Sequence, residues 1–290
     1  MSAAYGVSDS TSTLRRVLVR PPTASFAVED PTLWNYSGRP DLTRAQAEHR
    51  RLVEILESAG VEVLAHAEEL PGLADSIYVF DPMLMTPAGA VALRMGKARR
   101  RGEGGALAAR LGREGVPLLG ALEGPGTVEG GDLLLLDATT VALGLGFRTD
   151  PAGRDELARL LAAQDIELIS FDLPCLDGAN ACLHLRSLVS PLAPDLALVL
   201  RSLLPVRLFQ LLERRFALVD VAPDEVAGLA ANVLALGPRR CLMLAGNPRT
   251  RSRLQRAGCE VLTYRGDEIS LKGEGGPTCL TLPLWRDGGS

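Results

Sequence analysis

The chain has 290 residues, of which 47% are hydrophobic and 23% are charged, and its formal net charge is −4 at pH 7. These values are typical of a globular protein with a large core, formed as one large domain or two ordinary ones. The slight acidic excess argues against a nucleic-acid or membrane-surface partner. Neither a signal-peptide pattern nor a long uninterrupted apolar run occurs, so we expect a cytoplasmic protein without a membrane span.

The cysteines and histidines indicate neither a disulfide framework nor a metal site. The five cysteines are scattered, with no C-x-x-C motif and no paired histidine spacing. We therefore expect a reducing compartment, and neither a metal nor an organic cofactor. The three histidines are His49, His66 and His184. His49 has charged neighbours on a predicted helix and is expected on a solvated face, whereas His66 follows a predicted strand.

The chain opens with a polar segment rich in serine and threonine, residues 1–13, which we expect to be a flexible tail. Residues 14–286 then form a single predicted domain. Its first strand covers residues 14–20 and ends at two prolines. Residues 23–40 show no period, and such a segment is either a functional lid or a surface loop with an anchoring aromatic residue.

The remainder of the chain repeats one arrangement of elements. Helices are predicted over residues 41–59, 104–115, 150–164, 203–215 and 248–257. Short apolar strands lie between them, among them 77–80, 90–93 and 280–284. The unit of strand, strand, helix and strand recurs roughly five times, about every fifty residues, which is typical of a radially repeated α/β-propeller. A doubly wound sheet is the alternative, and the paired strands argue against it.

Five polar residues lie at the ends of predicted apolar strands, where a radial fold gathers side chains near its axis. They are Asp81, Glu129, Asp132, His184 and Cys279. Cys279 follows a glycine- and proline-rich loop that begins at Gly273, and glycines allow a backbone to approach a ligand closely. Each residue alone also has a structural explanation, such as a turn carboxylate, a hydrogen-bonded core histidine or a small buried thiol.

Together these residues form a recognisable pattern. In order along the chain, a D-P at a strand end, E-G-G-D, H-L-R-S and a glycine-rich loop with T-C resemble the guanidine-modifying (pentein) superfamily. This superfamily includes arginine deiminases, amidinotransferases and dimethylarginine dimethylaminohydrolases. The resemblance covers nearly the whole chain and implies a five-bladed α/β-propeller, in agreement with the repeat count.

The resemblance also implies a chemistry that needs these residue types. A guanidinium stays protonated at cellular pH, so a buried one must be paired with carboxylates. Asp81 and Glu129 are the candidates, with Asp132 as a second choice. Cys279 would attack the central carbon as a thiolate, while His184 protonates the departing amine and then activates water. A covalent amidino-cysteine intermediate would give a ureido product such as citrulline.

Two segments bear on the member of the superfamily. H-L-R-S places Arg186 where deiminases and amidinotransferases typically carry a guanidine-binding aspartate, and it resembles the H-L-K-S of the dimethylarginine enzymes. D-S-I-Y-V-F-D resembles their D-S-V-F-V-E-D segment. On this resemblance Asp75 contacts the amino-acid end of the substrate and Asp81 contacts the guanidine. Phe80 replaces a second acid, which leaves the guanidine substituent open.

Arg94 and Arg148 match family arginines that hold the substrate carboxylate, whereas the arginine run at 99–101 is expected to be solvated. The predicted activity is therefore hydrolysis of an N-methylated arginine or a close guanidino analogue. The alternatives are an arginine deiminase or dihydrolase, an amidinotransferase with an amine as acceptor, and a non-catalytic binding module. The expected partner is a small guanidino molecule, and an open propeller edge is compatible with a homodimer.

Overall fold

The computed structural model describes residues 5–176, 178 and 183–288. Within these residues fifteen strands form five three-stranded sheets. The strands are β1 (Leu14–Val19), β2 (Glu62–Ala65), β3 (Met83–Met85), β4 (Ala90–Ala92), β5 (Leu118–Ala121), β6 (Leu133–Asp137), β7 (Thr140–Leu145), β8 (Glu167–Asp172), β9 (Val189–Ala193), β10 (Leu196–Val199), β11 (Ala217–Asp220), β12 (Val233–Gly237), β13 (Arg240–Leu244), β14 (Glu260–Tyr264) and β15 (Leu282–Arg286).

One α-helix accompanies each sheet, and short helical turns lie in the connections. The α-helices are α1 (Leu42–Ser58), α2 (Glu103–Arg113), α3 (Pro151–Ala162), α4 (Val206–Arg215) and α5 (Pro248–Arg256). The 3-10 turns are Ala24–Phe26, Pro31–Trp34, Ala74–Ile77, Ala98–Arg100, Gly130–Asp132, Leu185–Ser187, Arg201–Leu203 and Pro223–Gly228, and Asp267–Leu271 is a π-helical turn. Among the described helices, none is both long and apolar enough to cross a membrane.

All five sheets share one topology. The central strand pairs with an antiparallel neighbour on one side and a parallel neighbour on the other. The α-helix lies in the chain between the two parallel strands, which need a crossover connection. This repeated unit confirms the five-bladed α/β-propeller. The first blade is built from both ends of the chain, because β15 pairs with β1.

Four of the five α-helices begin within one residue of the predicted start, whereas α4 begins at Val206 instead of Leu203. Two of the starts, those of α1 and α3, have a local side-chain cap. Asp41 accepts a hydrogen bond from the backbone of Arg44 at 3.0 Å, and Asp150 accepts one from Gly153 at 2.8 Å. Such caps satisfy N–H groups that have no partner inside the helix. Each helix then buries one apolar face against its sheet, as α4 does with Leu208 and Leu212.

Two predicted strands are placed differently in the structure. Residues 77–80 do not form a strand, and the chain there follows a 3-10 turn in which Tyr78 donates to the carbonyl of Asp75 at 2.9 Å. The segment is almost wholly buried, so it shows no alternation that separates a strand from a buried turn. The final strand begins at Leu282 instead of Leu280, because Leu280 still donates back to Gly276 at 3.2 Å.

Two expectations of solvent exposure are corrected. Of the segment expected to be a flexible tail, residues 5–13 pack on the propeller: Gly6 donates to Leu284 at 2.9 Å, and Val7 is 5% exposed. A short polar segment shows no hydrophobic periodicity, so its sequence does not predict that it packs against the propeller. His49 is buried in α1, and burial followed by the charge of Arg50 lowers its pKa to about 4.

Candidate active site

A small polar cavity of about 40 Å³ lies where loops from several blades meet. Six residues predicted from the sequence line it, namely Asp75, Asp81, Arg148, His184, Gly273 and Cys279. Glu129 has no exposed surface and contacts His184 directly. The propeller therefore brings together side chains that are far apart in the sequence.

His184 and Glu129 form a buried hydrogen-bonded pair. Nε2 of the imidazole donates to Oε2 of the carboxylate over 2.9 Å, and Nη1 of Arg148 lies 3.4 Å from both carboxylate oxygens. Burial raises the pKa of Glu129, but the hydrogen bond and charge of His184, with the charges of Arg148 and Arg100, outweigh it and hold this pKa well below its usual range. The carboxylate is therefore ionised and stabilises a protonated imidazole.

Asp132 holds the backbone that carries His184. Its Oδ1 accepts from the N–H of Leu185 at 3.0 Å, and its Oδ2 accepts from the Thr149 hydroxyl at 2.6 Å. Burial raises the pKa of Asp132 to about 6, against the opposing effects of His184 and these two hydrogen bonds. A Cβ on Gly131 would lie 2.3 Å from Nδ1 of His184, so a glycine is required there. Asp132 thus holds the backbone beside the imidazole, and its role as the second candidate for binding the guanidine stays a prediction.

Asp81 is held by a buried arginine. Nη1 of Arg100 donates to Oδ2 of Asp81 at 2.6 Å, and its Nε and Nη2 donate to Glu103 over 2.8–3.1 Å. The Gly131 N–H donates to Oδ1 of Asp81 at 3.1 Å. Arg100 is 3% exposed, so the prediction of a solvated run at 99–101 is wrong at its middle position. The sequence suggests a solvated run because the contact between Arg100 and Asp81 forms only when the chain folds.

Asp75 contacts a second cation that the sequence did not indicate. Nζ of Lys97 donates to Oδ2 of Asp75 at 2.5 Å, and the Tyr36 hydroxyl donates to Oδ1 at 2.7 Å. Lys97 also donates to the carbonyl of Trp34 at 2.7 Å, and its Nζ lies 5.2 Å from the centroid of that indole ring. Part of the segment 23–40 therefore lines the cavity and is tied to it by Lys97.

Cys279 lies half-buried in the turn before β15. Nδ2 of Asn232 donates to Sγ at 3.2 Å, while Oδ1 of the same amide accepts from the N–H of Thr278 at 3.1 Å. A donor directed at sulfur favours the thiolate over the thiol. At the start of the loop, a Cβ on Gly273 would lie 2.1 Å from the Tyr78 hydroxyl, which explains the glycine. The loop thus presents a thiol that is held and accessible.

Two residues predicted to contact the substrate lie outside this cavity. Phe80 lines a separate cavity near the propeller axis, where its ring centroid is 5.9 Å from Cζ of Arg186. Arg94 is half-buried and does not line the cavity that contains Cys279. Lys97, three residues later, lines it instead. Phe80, which stands where the resemblance implies a second acid, therefore lines the axial cavity and does not line the candidate active site.

Asp81, Glu129 and His184 place one potential ligand atom each within 4.8 Å of one another. Carboxylate and imidazole groups at this spacing can bind a metal ion. The same cluster also suits a planar guanidinium, which pairs with carboxylates through parallel N–H donors. The carboxylates are already held by Arg100 and His184.

Three residues that shape the site were missed in the sequence: Lys97, Arg100 and Asn232. Asn232 directly precedes β12 in the way that Asp132 directly precedes β6. A polar residue directly before the first strand of a blade could therefore have indicated Asn232 as a site residue. Lys97 and Arg100 lie in the irregular connection after β4, where no comparable sequence position indicates a site residue.

The five-bladed α/β-propeller, with a half-buried cysteine, a buried histidine–glutamate pair and further carboxylates around one cavity, defines the class of the protein. It is a guanidine-modifying enzyme of the pentein superfamily. Comparisons with known proteins identify the family.

The family model described as N,N dimethylarginine dimethylhydrolase, eukaryotic, matches residues 32–286. The N(G),N(G)-dimethylarginine dimethylaminohydrolase of Pseudomonas aeruginosa is 27% identical over 270 residues, which cover 92% of this chain and 98% of that protein. An arginine deiminase of Mycobacterium avium is 30% identical over 189 residues, or 55% of this chain and 46% of the deiminase.

A solved structure agrees with these sequence matches. It is a variant of dimethylarginine dimethylaminohydrolase in an adduct with S-methyl-L-thiocitrulline, and it matches with a TM-score of 0.80 at 25% identity. The match covers 94% of this chain and 100% of the other. The chain belongs to the dimethylarginine dimethylaminohydrolase family.

Proposed function

We propose that this protein hydrolyses an N-methylated arginine, or a close guanidino analogue, to a citrulline-type ureido product and an amine. The observation that carries the proposal is that Cys279, His184 and Asp81 line one cavity, with the buried Glu129 hydrogen-bonded to His184 behind it. The relative from Pseudomonas aeruginosa, a dimethylarginine dimethylaminohydrolase, supports this substrate class.

The guanidinium would lie against Asp81, with Glu129 close behind, because these carboxylates are buried and ionised groups of opposite charge attract most strongly in a dry site. Asp75 and Lys97 would meet the amino-acid end of the substrate. Arg148 would pair with the substrate carboxylate, as the family resemblance implies, after leaving its 3.4 Å contact with Glu129.

Substrate binding also requires movement. A cavity of about 40 Å³ holds only a few water molecules, since one water needs roughly 10–15 Å³ of such space. The segment 23–40 reaches the cavity at Trp34 and Asn35. We infer that this segment opens to admit the substrate and closes again, which removes water from the guanidinium and strengthens its contacts with the carboxylates.

In the first chemical step the Cys279 thiolate attacks the guanidinium carbon and forms a C–S bond. The substituted C–N bond then breaks, and the departing amine takes a proton from His184. In the second step His184 accepts a proton from water, the hydroxide adds to the amidino carbon, and the C–S bond breaks. The ureido product leaves and the thiolate is regenerated, while Glu129 stabilises the imidazolium in both steps.

The test is incubation with asymmetric dimethylarginine, monomethylarginine, arginine and other guanidino acids, with detection of the ureido product and the released amine. We expect turnover of at least one N-methylated substrate. Cys279→Ser and His184→Ala should lower kcat by about 10²–10⁴-fold or more, the usual contribution of a positioned acid–base group. Cys175→Ser, which changes an exposed free cysteine, is the matched control and should leave kcat unchanged.

The outcomes separate the competing functions. Turnover that requires an added primary amine and yields a new guanidine would assign an amidinotransferase. Turnover of arginine alone, with ammonia released, would assign a deiminase. Activity that survives in Cys279→Ser would show that the nucleophile is another residue, and binding without turnover of any guanidino acid would reject the enzyme.

A further inference from the structure

A second cavity of about 40 Å³ lies near the propeller axis, and it is lined mostly by apolar side chains of the inner strands. It shares a wall with the candidate active site. Gly130, Arg186 and Thr278 line it, and these residues neighbour Glu129, His184 and Cys279 in the chain. The layer of backbone that carries the catalytic candidates therefore has a second, mostly apolar cavity behind it.

Two buried arginines, Arg186 and Arg286, line this second cavity, and their positive charges repel each other. Arg186 is 6% exposed and Arg286 is 2% exposed, and both line it. Arg286 donates from Nη1 to the Ser12 carbonyl at 2.6 Å and from Nη2 to the Ala235 carbonyl at 2.8 Å. Nε of Arg286, and both Nε and Nη1 of Arg186, have no hydrogen-bond partner among the described residues.

A third polar group adds to this set. The buried hydroxyl of Thr278, on the cavity wall, also lacks a hydrogen-bond partner among the described residues. The Arg186 guanidinium lies over the ring of Phe80, 5.9 Å from its centroid, which contributes a weak cation–π contact and no acceptor. Buried donors left unpaired cost about 1–3 kcal/mol each, and more when the group is charged.

The charge around the cavity is unbalanced while Cys279 is a neutral thiol. Arg186 and Arg286 then contribute +2 and Asp9 contributes −1, which leaves +1, whereas a Cys279 thiolate, whose charge also acts on Arg186, brings the sum to zero. The carboxylate of Asp9 is already bonded to the backbone N–H groups of Thr11 and Ser12, both at 2.6 Å, and to their hydroxyls. Burial lowers the pKa of Arg186 to about 10, so its guanidinium is still charged near pH 7. A buried charge normally has a partner of opposite sign.

We propose that this axial cavity is a binding site for a small monovalent anion of the halide class, held between Arg186 and Arg286. Guanidinium groups are donors only. A water that accepts from them must in turn donate its own hydrogens, whereas a halide only accepts and also neutralises the excess charge. The cavity volume of about 40 Å³ exceeds the roughly 10–15 Å³ that one water requires, so the cavity has room for a halide ion, which is larger than a water molecule. The inference does not rest on the catalytic proposal.

The direct test is a crystal structure of the wild-type protein grown in millimolar sodium bromide without chloride, with diffraction recorded at the bromine absorption edge. We expect an anomalous difference peak in the axial cavity, within contact distance of Nε of Arg186 and Nε of Arg286. Ordered water in the cavity without an anomalous signal would overturn the proposal.

A solution measurement gives an independent answer. The unfolding midpoint is followed at constant ionic strength while sodium gluconate, whose anion is too large for the cavity, is replaced by sodium bromide. A ligand bound only by the folded state raises the midpoint in a saturable way. Arg186→Met should lose this response, whereas Arg15→Met, which removes an exposed arginine paired with Asp287, should keep it. An equal bromide response in Arg186→Met would refute the site, and the crystal experiment decides if that variant does not fold.

Discussion

At the scale of single residues, Arg100 links the stability of the fold to the shape of the active site. Its guanidinium donates to the carboxylates of Asp81 and Glu103 and to the carbonyl of Tyr78 at 3.0 Å. The environment is so dry that burial raises the pKa of Glu103 to about 7, despite the opposing charge and hydrogen bonds of Arg100. Removing the cation would leave two carboxylates buried without compensation.

We predict that Arg100→Leu destabilises the protein by about 3–5 kcal/mol, the usual cost of breaking a buried ion pair. The free energy of unfolding is to be measured in urea. Arg101→Leu is the matched control, because this neighbour is exposed, and it should change the stability by no more than about 0.5 kcal/mol. Equal losses in both variants would mean that the buried pairs contribute nothing specific.

Asp132 gives a prediction for pH dependence. Its pKa is raised from the usual 3.8 to about 6, chiefly by burial. Between these two values the folded protein retains a proton that the unfolded chain has released, so this residue lowers the stability as the pH rises through the window. At about 1.4 kcal/mol per pKa unit, the cost above pH 6 is on the order of 2–3 kcal/mol.

In Asp132→Asn the side-chain amide does not titrate, so the variant lacks this pH-dependent loss of stability. The difference in unfolding free energy between this variant and wild type should therefore move in favour of the variant between pH 4 and pH 6 and then level off. Urea unfolding at several pH values measures it, with the exposed Asp172→Asn as control. A difference that does not change with pH would show that Asp132 has an ordinary pKa in the folded state. Activity should fall in Asp132→Asn above about pH 6, where the wild-type carboxylate is charged, because the Leu185 backbone next to His184 loses its charged acceptor.

Whether a residue of the candidate site could be predicted from the sequence depended on where it lies in the repeated unit of strands and helix. Cys279, His184, Asp75 and Asp81 could be found because each lies in a short motif at the edge of an apolar stretch. The environment of Phe80 could not be found, because the identity of a side chain does not show which of two adjacent cavities it faces. Arg100 was hidden for a related reason, since two of its acceptors, Asp81 and the Tyr78 carbonyl, come from an earlier segment of the chain.

At the scale of elements, the segment 23–40 is anchored by two lysines, and these are the only lysines in the chain. Nζ of Lys97 donates to the carbonyl of Trp34 at 2.7 Å, and Nζ of Lys272 donates to the carbonyl of Arg39 at 2.8 Å. Both bonds can break without disturbing a strand or an α-helix. We therefore expect that the segment can open while the blades stay intact.

Lys97→Met should raise the rate at which chymotrypsin cleaves the segment near Leu33 by roughly tenfold. The reason is that loss of one charge-assisted hydrogen bond, worth about 1.5 kcal/mol, shifts a local opening equilibrium by about that factor. Lys272→Met should act in the same direction, while Arg101→Met should not. Mass spectrometry of the fragments identifies the cleavage site. Unchanged cleavage in both lysine variants would contradict a lid held by these contacts.

The helices were predicted closely and the short buried segments less so, for a physical reason. A helix such as α1 carries its own signals, namely a cap at Asp41 and an amphipathic period. The segment 77–80 is buried on all sides, and its backbone is fixed by Arg100 from another loop. Tertiary contacts of this kind leave no local period in the sequence.

At the scale of the whole molecule, the ring of blades closes between the two ends of the chain. β15 pairs with β1, Gly6 bridges to Trp285, and the N–H of Asp287 donates to the Thr13 carbonyl at 2.9 Å. The first blade therefore cannot form until the last strand is in place. Cys279 lies just before that strand, so we expect closure of the ring also to place the proposed nucleophile.

This closure predicts how the protein responds to circular permutation. A linker of a few residues between the two ends is expected to be sufficient, because Gly6 and Trp285, near the two ends of the described chain, form a β-bridge and the entropy of closing a short loop is small. New ends in the exposed turn between Ala138 and Thr139, which joins β6 to β7, break no strand pairing. We expect this permutant to unfold in one cooperative transition and to retain the activity of the wild-type chain within several-fold.

The matched control places the new ends between Ala142 and Leu143, inside β7, the central strand of its sheet. That permutant should fail to form a cooperative structure, because β7 carries the pairings to both of its neighbours. Calorimetry and the ureido assay distinguish the two proteins. If the turn permutant unfolds in two separate steps, or loses activity while remaining folded, then the covalent order of the blades, and not their closure into a ring, positions Cys279.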